Sequence, residues 1–127
     1  MAASGVPVPS GDHGPRAAHL ALDMIELLDR FNERTASRFQ VRIGIHTGKA
    51  LAGVIGRRLF LYDLWGEAVN AASRMESHGV AGRVQVSEST QRLLGEPFRL
   101  EERGTLQLEG AGELKTWFLV GRSGASI

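Results

Sequence analysis

The chain has 127 residues, 43% hydrophobic and 23% charged, which is enough for one domain with a core of its own and excludes a disordered tail. Fifteen Lys plus Arg against fourteen Asp plus Glu leave a net charge of +1, which excludes a polyanion-binding footprint, so no nucleic-acid partner is expected. Zero cysteines exclude disulfides, thiolate zinc sites and a cysteine nucleophile, and with no long apolar run and no basic-then-apolar leader the expectation is a cytoplasmic protein with no membrane partner.

Residues 1–14, MAASGVPVPSGDHG, hold Pro7, Pro9 and three glycines without periodicity and read as an irregular arm. Pro15 suits a first helical position, and Ala17, Leu20, Ala21, Met24, Leu27, Leu28 and Phe31 recur at three and four, which predicts an amphipathic helix over 15–36. Val41, Ile43 and Ile45 then alternate with Arg42, Gly44 and His46, and Leu51 to Ile55 follow after Thr47-Gly48-Lys49, so two tightly joined strands are predicted. After LFLYDLWG a second helix runs from Glu67 to about Ser77 on a stripe of Ala68, Ala71, Ala72 and Met75. Arg83 to Val86 reads as a strand, and Ser87 as the N-cap of a helix from Glu88 to Leu94. Phe98 to Glu102, Thr105 to Leu108 and Leu114 to Val120 read as strands divided by Arg103-Gly104 and by Gly110-Ala111-Gly112. The order predicts an α+β domain over 15–122, with helices packed on a mixed sheet and a short tail at 123–127.

Most apparent motifs dissolve on inspection. Gly44-Ile-His-Thr-Gly48-Lys49 has three residues between its glycines where a phosphate loop needs four, and Ala50 follows the lysine, so tight turns and close packing explain the glycines. Gly110-Ala-Gly112 lacks the third glycine of a dinucleotide fingerprint. His13, His19, His46 and His78 fall in no metal-ligand spacing and read as surface or hydrogen-bonded structural histidines.

Leu61-Tyr-Asp-Leu-Trp-Gly-Glu-Ala-Val-Asn-Ala-Ala-Ser-Arg-Met-Glu76 differs from these. Asp63 precedes a helix on which Glu67, Asn70 and Arg74 fall at i, i+3 and i+7, sharing one face about 100° from the alanine and methionine stripe. An arginine can give a forked cationic donor to a phosphate, an asparagine an amide to a hydroxyl, and an aspartate an acceptor to an exocyclic amino group. The trio suits a nucleotide, although spacing alone favours a solvated helix face with a turn aspartate.

IGIHTGKALAGVIG, LYDLWGEAVNAASRMES, GRVQVSEST and FRLEERGTLQLEGAGELKTWFLVG, in that order, resemble the second half of a class III adenylyl or guanylyl cyclase catalytic domain, over about Met1 to Arg122. The resemblance implies a ferredoxin-like α+β fold in truncated form and conversion of ATP to cyclic AMP and pyrophosphate in the complete family. It implies that Asp63 binds the adenine amino group, and that Asn70 and Arg74 are catalytic, on the ribose and the phosphate respectively. It also implies that the two aspartates that hold Mg2+ or Mn2+ belong to an N-terminal half preceding Met1, so that the metal ligands are absent here. Where the family commonly has Lys-Gly-Lys-Gly, this chain has Glu109-Gly110-Ala111-Gly112. A domain inactive alone is therefore expected, with an unpaired sheet edge and an uncovered apolar face that favour self-association. Since such sites are built at a dimer interface, the implied partner is a cyclase domain as homodimer or heterodimer. The alternative is a non-catalytic regulatory domain that pairs with a complete cyclase.

Overall fold

The computed structural model describes residue 4 and residues 11–48, 51–55, 61–65, 67–95, 98–108 and 112–122; at 51–55, 61–65, 67, 68 and 108 it describes the backbone alone. In chain order the elements are α1 (His13–Thr35), β1 (Ile43–Ile45), β2 (Leu51–Ile55), β3 (Leu61–Trp65), α2 (Glu67–Ser77), β4 (Val84–Ser87), α3 (Glu88–Leu94), β5 (Phe98–Leu108) and β6 (Gly112–Arg122). Four strands form a mixed sheet in the order β1-β4-β6-β5, parallel between β1 and β4 and antiparallel elsewhere. This is the expected α+β arrangement of helices on a mixed sheet.

The predicted strands on either side of 47–49 do not pair with each other. β1 lies parallel to β4, with Ile43 opposite Val84, while β2 pairs antiparallel with β3, with Leu51 opposite Trp65. The LYDLW run that reads as a lead-in to the second helix is thus a strand, because the apolar segment before it finds its hairpin partner there. Nor does Arg103-Gly104 divide two strands. β5 is continuous and absorbs the pair as a bulge, its register shifting between Glu102 and Gly104.

The core joins Val84 and Val86 of β4 to Leu94, Phe98 and Leu119 under Ala18 and Ala21 of α1, with Leu22, Ile25, Ile43 and Trp117 packed around them. Burying each large apolar side chain there contributes about 1.5–3 kcal/mol. α1 buries Gly14, Ala18 and Ala21, a narrower face than its apolar stripe predicts. Leu20, Met24, Leu27 and Phe31 are instead exposed, Leu27 by 61%. Apolar residues occupy more of this helix than one face can hold, so periodicity alone does not choose the buried side. The helix ends where Ala36 turns left-handed at φ 54° and donates its N–H to the Asn32 carbonyl. The described sheet also ends at β1, whose one partner among the described residues is β4. No described helix is long and apolar enough to cross a membrane.

Ser87 occupies an N-cap position with extended backbone, yet its hydroxyl makes no cap bond. It is committed elsewhere, 2.7 Å from His46 Nδ1 and 3.1 Å from Ser89 Oγ. Ser89 donates to the Thr47 carbonyl at 2.9 Å, and Thr47 meets the buried Thr90 hydroxyl at 2.8 Å, so a band of hydroxyls ties the end of β1 to α3. Burial pushes the His46 ring below its ordinary value of about 6.5, favouring the neutral form in the folded chain. The stability this contributes is present above that ordinary value and is lost as pH falls through it toward the folded value. The melting temperature should therefore drop between pH 7 and pH 5, and His46→Gln should flatten that part of the profile, as read by thermal denaturation across the range.

Candidate functional site

α2 carries the polar face, and its position follows from what lies beneath it. Ala71 and Met75 are buried, Met75 completely, as the predicted stripe requires. β1 meets the helix backbone at Gly44, where a Cβ would stand 2.4 Å from the Glu76 nitrogen and 2.6 Å from the Met75 carbonyl carbon. Only a residue without a side chain allows that approach.

Seated this way, α2 places Asn70 and Arg74 one turn apart, about 6 Å along the axis. Asn70 is exposed and Arg74 half-buried. Among the described residues neither side chain has a hydrogen-bond or ion-pair partner, so the amide and the guanidinium are both available to a ligand. The Arg74 carbonyl is engaged, accepting from the His78 backbone N–H at 2.9 Å, with His78 Nδ1 3.0 Å away.

Asp63 lies in β3 opposite Gly53, four residues before α2 begins, and α2 packs against β3 as well as β1. The structure thus puts the aspartate on the element adjoining the Asn70 and Arg74 helix, while its carboxylate lies outside the described residues. So do the side chain of Glu67 and all of Lys49, Glu109, Gly110 and Ala111.

Two residues that the sequence does not single out meet the far end of α2. Gln85, wholly buried in β4, donates from Nε2 to the Met75 carbonyl at 2.9 Å. Arg103, from the β5 bulge, donates to the His78 carbonyl at 2.8 Å and to Gln85 Oε1. A glutamine between two valines in a strand buried on both faces is the one local sign that a polar partner must be near. The arginine leaves no such sign.

Three histidines have the hydrogen-bonded roles expected of them. His46 meets Ser87, His78 meets the Arg74 carbonyl, and His19 stacks obliquely on Phe98 at 4.8 Å while accepting from Arg122 Nε at 3.0 Å. A cleft of about 380 Å³ lies between α1 and residues 37–41, where Asn32 bonds both the N–H and the carbonyl of Phe39. It includes neither Asn70 nor Arg74.

Comparison with known proteins bears on the family and the fold. The family model described as the adenylate and guanylate cyclase catalytic domain matches residues 1–121. The chain is 42% identical over 126 residues to an adenylate cyclase of Mycobacterium tuberculosis, covering 99% of this chain and 28% of that protein. It is 43% identical over 122 residues to the human guanylate cyclase soluble subunit beta-2, covering 94% and 20% respectively. Among solved structures, the guanylate cyclase domain of RhGC from Catenaria anguillulae, in complex with GTP, superposes with a TM-score of 0.87 at 34% identity, over 94% of this chain and 66% of that one. The chain therefore spans less than a third of the length of these two relatives.

Proposed function

The chain belongs to the adenylate and guanylate cyclase catalytic-domain family, whose members make cyclic nucleotides, and from that premise we propose that it supplies the base, ribose and phosphate contacts of an ATP-cyclising site shared with a second cyclase domain. The observation that carries this reading is the pairing of Asn70 and Arg74 on one face of α2, both without partners among the described residues, on a helix seated against β1 through Gly44. Asn70 offers an amide to the ribose and fixes its orientation. Arg74 presents a forked donor that meets charge developing on the phosphate.

Asp63 selects the base. The two relatives, one an adenylate and one a guanylate cyclase, match at nearly equal identity, so the distinction falls to chemistry. An ionised carboxylate only accepts hydrogen bonds; adenine presents an amino donor at its 6-position, guanine a carbonyl acceptor. Asp63→Asn, which can donate as well as accept, should lower the preference for ATP over GTP by about tenfold to a hundredfold. The ratio of cyclic AMP to cyclic GMP formed from equal substrate concentrations checks it.

The described residues bring no three His, Asp or Glu side chains together. In this reading the chain contacts base, ribose and phosphate, and the partner domain supplies the carboxylates for the Mg2+ or Mn2+ of the family. The exposed α1 stripe and the edge at β1, which has no second partner strand among the described residues, support association with such a partner, as a second copy or a different chain. The test mixes this chain with a cyclase catalytic domain whose own asparagine and arginine are replaced but whose metal carboxylates are intact. Cyclic AMP above that made by either component alone is expected. No gain at any mixing ratio, with association confirmed by sedimentation, would overturn the reading.

A further inference from the structure

We infer that Arg103 and Gln85 are positioning residues, a clamp from the sheet onto the C-terminal end of α2 that holds Asn70 and Arg74 in their working orientation. Arg103 is the extra residue of the β5 bulge: Glu102 stands opposite Trp117 and Gly104 opposite Thr116, so Arg103 has no ladder partner. A bulge re-aims the side chain of its extra residue. Two further features hold this one in place. Gly104 sits at φ +126°, a conformation that side chains resist, and its carbonyl accepts from the hydroxyl of the wholly buried Thr116 at 2.7 Å.

The re-aimed guanidinium rests over the Phe118 ring, 5.3 Å from its centre, and donates to the His78 carbonyl just past the end of α2. It also donates to Gln85 Oε1, while the Gln85 amide donates to the Met75 carbonyl. Two carbonyls at the α2 C-terminus, where no intrahelical donor reaches, are thus held by side chains from two strands, and a cation stands at the negative end of the helix. Gln85 is fully buried, so losing Arg103 would leave its oxygen without a partner inside the protein.

A helix held at one end responds to loosening by tilting. Asn70 lies five residues, about 7.5 Å, from Met75. A tilt of about 10° moves it by about 1 Å, and misplacement on that scale costs up to about 10² in rate. The effect on catalysis rests on the roles proposed above for Asn70 and Arg74; the effect on the helix does not.

The experiment therefore reads both. Arg103→Met keeps the length and the packing on Phe118 but removes charge and donors, and Arg103→Lys keeps the charge. Amide hydrogen exchange over 70–78 is compared with that over β4 and β6 in the intact chain and both variants, and kcat and KM are measured for each in the mixture described above. The expected result for Arg103→Met is faster exchange confined to α2, with kcat lowered about tenfold to a hundredfold, KM little changed, and partial recovery in Arg103→Lys. If Arg103→Met does not fold, Arg103→Lys is read alone, with the same signature at smaller amplitude. Unchanged exchange in α2, or loosened α2 with unchanged kcat, would overturn the clamp. Loosened α2 in a mixture where even the unsubstituted chain restores no activity would uphold the clamp on the helix and overturn the function proposed for it.

Discussion

Arg74→Ala will lower the cyclic AMP formed in the mixed assembly by about 10² to 10³, most of it in kcat, because one donor aimed at charge that develops in the transition state has that value. The same substitution should leave the melting temperature nearly unchanged. Arg74 is half-buried and, among the described residues, has no ion-pair or hydrogen-bond partner on its side chain, so the folded chain loses little when it is removed. Arg74→Lys should fall between the two, retaining the charge but losing the planar fork that grips two oxygens together. Initial rates alongside thermal denaturation separate these outcomes. A loss of stability as large as the loss of rate would mean that Arg74 serves the fold and not the site.

Gly44→Ala should show the reverse pattern, with stability lost first and activity as a consequence. The added methyl would meet the backbone of α2 at 2.4 Å, and backbone, unlike the tip of a long side chain, cannot swing aside. Overpacking of a core costs about 1–3 kcal/mol when side chains can adjust, so this substitution belongs at or above the top of that range. In a domain of this size a loss of about 3 kcal/mol lowers the melting temperature by about 10 °C. Gly11→Ala is the control. Among the described residues nothing lies within 4 Å of its would-be Cβ, and the melting point should hardly move. Equal effects from the two would overturn the packing argument.

The parts of the fold that local pattern encodes were legible in the sequence. A period of 3.6 marks α2 and places Asn70 and Arg74 together, and the run from Val84 through Leu94 shows a buried strand leading into a short helix. Pairing was less visible, since a parallel partner such as β4 for β1 lies across a crossover and leaves no turn signal between them. The bulge misleads for a related reason: Arg-Gly inside an apolar run looks like a turn, and only the facing strand shows that the ladder continues on both sides. On α1 the difficulty is excess, because Leu20, Met24, Leu27 and Phe31 repeat as regularly as the residues that the sheet covers. Gln85 and Arg103 owe their relation to α2 entirely to tertiary folding, so no spacing in the chain could announce it.

The register of β1 on β4 bears on how the molecule assembles. Pairing Ile43 with Val84 closes a loop of roughly forty residues, whereas β5 and β6 are adjacent in the chain and meet across residues 109–111. Local hairpins form in microseconds, while distant parallel partners must first overcome the entropy of closing the intervening chain. The β5-β6 hairpin, with the bulge that presents Arg103, is therefore expected early, and β1 should dock late. Because α2 belongs to the segment enclosed by that late closure, the helix that carries Asn70 and Arg74 is among the last elements to be fastened and, in unfolding, among the first released. Local opening will thus expose the backbone at Asn70 and Arg74 to exchange and proteolysis while the β5-β6 hairpin remains intact.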